Sequence, residues 1–140
     1  MLYDILYCDL LRISNVSHGK LVWEDKSLLP NNFWDIYDDF HIIKGDIVMA
    51  MTRPIISTGI KITMIMESKK MLLNQRVGKF ISTLNIDFLN HILNSNHFFV
   101  QIKRSLLETN QPNISSSDVE SVKIWFPKDN GEQQKIASIL

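Results

Sequence analysis

Cysteine is nearly absent: the 140-residue chain has one, Cys8. An internal disulfide framework is therefore excluded, and with it a zinc site of the cysteine-rich kind. Long apolar runs are also missing, because Lys44, Arg53, Lys61 and Glu67 interrupt the richest stretches before any reaches the roughly 20 residues of a membrane helix. Met1-Leu2-Tyr3-Asp4 lacks the basic opening of a signal peptide, so a cytoplasmic protein without a membrane segment is expected. Net charge is lacking too, 15 Lys/Arg against 15 Asp/Glu, which argues against indiscriminate coating of nucleic acid by phosphate neutralisation. Gly45, Gly59 and Gly78 stand singly, with no phosphate loop or dinucleotide fingerprint. His18, His41, His91 and His97 have no metal-ligand spacing. No serine sits in a nucleophile elbow, and Cys8 has no evident base partner. No metal and no cofactor are expected.

What is present suits one globular domain, with 45% hydrophobic and 21% charged residues. The charge is unevenly placed. Residues 1–40 carry three Lys/Arg against seven Asp/Glu, residues 41–107 nine against three, and residues 108–140 three against five. The middle block is basic, which fits either a solvated face or a phosphate-docking surface.

Periodicity gives a coarse α+β order. Leu10–Val16 and Leu21–Trp23 flank the turn Ser17-His18-Gly19-Lys20 and read as a hairpin. Phe33, Trp34, Ile36, Tyr37 and Phe40 recur at helical spacing. Ile47–Met51 is a nearly continuous apolar run, as in a strand buried on both faces. Ile60–Met66 reads as a strand, Thr52–Gly59 as the loop before it, and Arg76–Ile81 as a further short strand. Asp87–Leu93 and His97–Leu107 read as helices, Ser115 with Asp118 as a capping box, Val122–Phe126 as a last strand stopped by Pro127, and Glu132–Leu140 as a helix with an apolar edge at Ile136, Ile139 and Leu140. Barely two turns long, that last helix is expected to be frayed or held by another molecule.

One arrangement suggests catalysis. Asp46, Glu67 and Lys69 could converge at one sheet end as in Mg²⁺-dependent nucleases, although Glu67-Ser68-Lys69-Lys70 also reads as a polar turn. Asn74-Gln75-Arg76 suggests recognition instead. Amides and guanidinium groups read adenine and guanine edges bidentately, while an Asn-Gln pair in a turn can equally serve backbone groups.

Six short segments, in order, carry a family likeness: Leu11-Arg12-Ile13-Ser14-Asn15-Val16, Lys44-Gly45-Asp46-Ile47-Val48, Leu73-Asn74-Gln75-Arg76-Val77, Thr109-Asn110-Gln111-Pro112-Asn113-Ile114-Ser115, Ile124-Trp125-Phe126-Pro127 and Glu132-Gln133-Gln134-Lys135-Ile136. Together they resemble the target recognition domain of the specificity subunit of type I restriction-modification enzymes. That resemblance implies a non-catalytic DNA-reading domain over residues 1–130, incomplete at its N-terminus, with a small, twisted, mostly antiparallel sheet, flanking helices, and the start of a long spacer helix at 131–140. The partners implied are double-stranded DNA, methyltransferase and restriction subunits, and a second copy or second recognition domain. Arg53, Lys61, Asn74, Gln75, Arg76 and Lys79 are the expected DNA contacts, with Lys103, Arg104 and Gln111 behind them. Gly45, Ser115 and Pro127 are assigned to architecture. The alternatives are the nuclease and a protein-binding fragment that competes for methyltransferase subunits.

Overall fold

A computed structural model describes residues 6–140. In chain order its strands and helices are β1 Tyr7–Leu11, β2 Ser27–Pro30, α1 Asn32–Ile36, β3 His41–Ile42, β4 Ile47–Ala50, β5 Ile55–Ile56, β6 Gly59–Ile60, β7 Ile62–Met64, β8 Met71–Leu73, β9 Val77–Lys79, α2 Ile86–Leu93, α3 Asn96–Thr109, α4 Ser116–Glu120 and α5 Asn130–Ile139. The strands form three small sheets, ordered β2-β1-β8-β3, β7-β4-β9 and β5-β6. Pairing is antiparallel except between β1 and β8. The architecture is α+β, with its pairing divided among these sheets.

β4 organises the core because alternate residues of a strand face opposite ways. Ile47 and Met49 meet Leu89 and Leu93 of α2, and Phe98 and Ile102 of α3. Val48 and Ala50 face the other way, towards Leu11, Ile42, Ile65, Met71 and Val77. All four β4 residues are fully buried, which is why the run lacks polar alternation.

Local polar groups set the ends of the helices. The side chains of Asn85, Ser95, Ser115 and Asp129 accept backbone N–H groups from the first turns of α2, α3, α4 and α5. Ser115 and Asp118 form the reciprocal box read from the sequence. Hydrogen bonds from the Ser115 hydroxyl and N–H hold the exposed Asp118 carboxyl below its ordinary pKa. Ser115→Ala is expected to move the Asp118 titration back up towards the ordinary aspartate range. A pH series of carboxyl-carbon NMR shifts reads it, and an unmoved titration would count against the box. Gly45 takes φ +96 in the turn before β4, a conformation glycine adopts without a Cβ penalty.

Several segments differ from the expectation. The hairpin at Leu10–Trp23 shrinks to a single bridge between Val16 and Leu21. A 3-10 turn at Ile13–Asn15 replaces its first strand, and the buried Asn15 amide donates to the carbonyls of Val22 and Asp25 while its oxygen accepts the Arg12 N–H. That side chain takes over the bonds a strand ladder would have made. Val122–Phe126 joins no sheet. Conversely, Tyr7–Leu11 and Met71–Leu73, neither foreseen, pair in parallel across more than sixty residues of sequence.

The last helix is tied to the domain near its start. Gln133, 1% exposed, accepts the Asn85 N–H at 2.7 Å and donates to the Pro127 carbonyl at 2.7 Å, bridging α5 to the start of α2. Ile139 and Leu140 remain exposed on its other side. Gln133→Leu leaves a backbone donor and an acceptor unpaired, at about 1–3 kcal/mol each. Amide exchange along Asn130–Ile139 is therefore expected to accelerate in that variant, and unchanged rates would remove Gln133 as the anchor.

Candidate nucleic-acid interface

Beyond Ala50 the chain is hydrogen-bonded to two loops. The Met51 N–H donates to the Arg76 carbonyl at 2.7 Å, and the Met51 carbonyl accepts the Ile114 N–H at 2.9 Å. Thr52 bridges to Asn113, with its hydroxyl 2.7 Å from the Asn113 side-chain oxygen, and the Arg53 N–H donates to the Pro112 carbonyl at 2.7 Å. Segments 74–76 and 111–114 are thus both hydrogen-bonded to 51–53.

The chemistry of this rim is one-sided. Residues 51–61, 74–79 and 109–115 contain no acid but carry Arg53, Lys61, Arg76 and Lys79 and the amides of Asn74, Gln75, Asn110, Gln111 and Asn113. Arg53, Gln75, Arg76, Asn110, Gln111 and Asn113 are exposed, and Asn74 and Lys61 half-buried. Lys61 joins through its backbone, its N–H donating to the Pro54 carbonyl at 2.7 Å.

Among the described residues, three non-glycines have left-handed backbone: Arg53 at φ 45, Arg76 at φ 65 and Asn110 at φ 51. All three lie on these loops. Asn110 ends α3 in the conformation with which asparagine commonly closes helices. The two arginines occupy positions where turn chemistry favours glycine or asparagine, at about 1–2 kcal/mol each for an L side chain.

The expected contact residues are not all gathered here. Lys79 points its ammonium inward, 3.1 Å from the His41 carbonyl and 3.9 Å from Asp46. Lys103 and Arg104 stand on α3, where Arg104 lines a separate groove with Val100, Gln101, Lys123 and Trp125. Asn110 and Asn113, outside the expected set, also lie on this rim, where Asn-Gln-Pro-Asn repeats the amide-rich pattern of Asn74-Gln75. Among the described residues no His/Cys/Asp/Glu group could hold a metal. Lys69 is committed to Asp9 at 2.8 Å, and Asp46 accepts the Ile43 N–H at 2.9 Å. Nothing supports the nuclease alternative.

The model of the type I restriction modification DNA specificity domain matches residues 18–140. The chain belongs to that family. This specificity domain is 36% identical over 129 residues to the type I restriction enzyme MjaVIII specificity subunit of Methanocaldococcus jannaschii, covering 89% of the chain and 30% of the relative. It is 34% identical over 134 residues to the EcoAI specificity subunit of Escherichia coli, covering 92% and 22%. The domain therefore spans less than a third of the length of either curated relative. A solved structure from work on complex assembly and conformational transition of the type I R-M system matches its fold with a TM-score of 0.66 at 18% identity, over 97% of this chain and 35% of the other. No described helix is long and apolar enough to cross a membrane.

Proposed function

We propose that this specificity domain reads duplex DNA through the rim formed by residues 51–53, 74–76 and 110–113, and itself carries out no bond-making or bond-breaking step. The observation that carries the reading is the pair of exposed arginines held in left-handed backbone on adjacent, hydrogen-bonded loops. Such strain persists where the surroundings enforce it, and it clusters at binding sites. Guanidinium groups there match guanine edges, and the flanking amides match adenine. Methylation and cleavage belong to methyltransferase and restriction subunits that the domain directs to a target, with a second copy or second recognition domain reading the other half. The 131–140 segment begins the spacer that would join such halves.

Binding in the assembled complex, titrated across salt on matched and mismatched duplexes, tests this. Lys61→Ala is expected to weaken binding to all sequences alike and to reduce the slope of log K against log salt by about one. Gln75→Ala is expected instead to narrow the gap between target and non-target DNA by about 1–3 kcal/mol. Equal losses on both duplexes for Gln75→Ala would take base reading away from Gln75 and leave it first to the Thr52–Gly59 loop. Mg²⁺-dependent cleavage by the chain that vanished on Asp46→Asn and Glu67→Gln would refute the non-catalytic reading.

A further inference from the structure

The largest apolar side chain left open to solvent is on the segment expected to be a strand. Trp125 is 93% exposed, yet the backbone that carries it is pinned. The Lys123 carbonyl is reached by His97 Nε2 at 2.7 Å and accepts from Gln101 Nε2 at 3.0 Å, while the Lys123 N–H donates to Gln101 Oε1 at 3.1 Å. The Gln101 amide thus bonds the segment as a neighbouring strand would. Beside Trp125 lies a groove of about 500 Å³ lined by Asn96, Val100 and Arg104 of α3 and by Lys123, with no carboxylate in its wall. Val100, Arg104 and Leu107 follow one another at i, i+4 and i+7, so the exposed Leu107 extends the same helix face.

We infer that this face, the outer stripe of α3 with Trp125, docks an acidic protein surface, an apolar socket edged by aspartates and glutamates. Charge complementarity selects that occupant, since the groove offers cations and apolar surface together. Tryptophan and arginine are the side chains over-represented where truncation costs most at protein interfaces, and a pre-positioned Trp loses little freedom on binding. Duplex DNA fits less well. Its bases are stacked, so a tryptophan meets them only by wedging between steps, and phosphates have no use for an indole. In the assembly proposed above the partner is the methyltransferase subunit, and to that extent the inference rests on that reading.

The test titrates the whole chain with the methyltransferase subunit, and separately with target duplex, by fluorescence anisotropy at several salt concentrations. Trp125→Ala is expected to weaken association with the subunit about thirtyfold and Lys123→Glu about tenfold. Trp125→Phe is expected to fall between Trp125→Ala and the wild type, wild-type affinity is expected to decline as salt rises, and DNA affinity is expected to stay within about twofold for Trp125→Ala. Association unchanged by Trp125→Ala and Lys123→Glu would overturn the inference, as would a wild-type chain that fails to bind the subunit, or a loss falling on DNA binding or on self-association instead. The DNA-reading proposal is judged separately, by the Gln75→Ala discrimination on duplexes.

Discussion

Lys69→Met is expected to destabilise the fold by about 1–3 kcal/mol, the range for taking one hydrogen-bonding partner from a buried polar group. Asp9 is 1% exposed in β1, with Lys69 at 2.8 Å and Lys26 at 3.8 Å from its two oxygens. Lys69 also lies 3.9 Å over the Trp23 ring, so its removal takes away both the nearer cation and a stacking partner. The opposite deletion is milder. Asp9→Leu removes the buried anion itself and leaves lysines that are 24% and 40% exposed and able to turn to water. Asp9→Leu combined with Lys69→Met replaces the pair by apolar groups, a change that is often near neutral. Urea unfolding of the three variants closes the cycle. Additive losses in the double variant would mean that the two side chains do not act as a pair, and Lys69 would lose its structural assignment.

The second large effect sets stability against recognition. Arg53→Gly with Arg76→Gly is expected to relieve roughly 1 kcal/mol of backbone strain at each position. The same change removes two candidate bidentate contacts worth about 1–3 kcal/mol each, so the ratio of target to non-target affinity is expected to fall about thirtyfold or more. Thermal unfolding and duplex titration of one protein sample read both quantities. A double variant that gained stability and kept its discrimination would show that the arginines do not read bases.

Why the arginines were legible as residues but not as conformations follows from chirality. Sequence chemistry places glycine or asparagine at left-handed turns, so nothing local announces Arg53 or Arg76 there, and each is tied by a main-chain hydrogen bond to a distant segment, Arg76 to Met51 and Arg53 to Pro112. Elements with their own periodicity fared better. Phe99, Ile102 and Leu106 read as an apolar stripe of α3 and all pack into the core, which the fold completes with the buried Phe98, and the Ser115 cap is written within four residues. The β1 and β8 strands had no such signal. Met71–Leu73 is three residues long between Lys70 and Asn74, and its pairing is settled by Leu11 and Leu10, some sixty positions away. Val122–Phe126 failed in the opposite sense. Its composition favours a strand, but the Gln101 side chain occupies the bonds a neighbour would need. Of the expected contacts, Lys79 has a position that composition alone could not give, since only the fold reveals the His41 carbonyl beside its ammonium.

The rim's frame is made chiefly by main-chain groups: Met51 to Arg76, Ile114 to Met51 and Arg53 to Pro112. Any residue except proline supplies the N–H of such a bond, so the frame barely depends on which side chains hang from it, the Thr52–Asn113 contact being the exception. The consequence is evolvability. Positions 75 and 111 can drift through many identities, and 53 and 76 through those that tolerate left-handed backbone, without a refolding crisis between one target and the next, and a library randomised at 75 and 111 would retain a high share of folded members while its preferred sequences scattered.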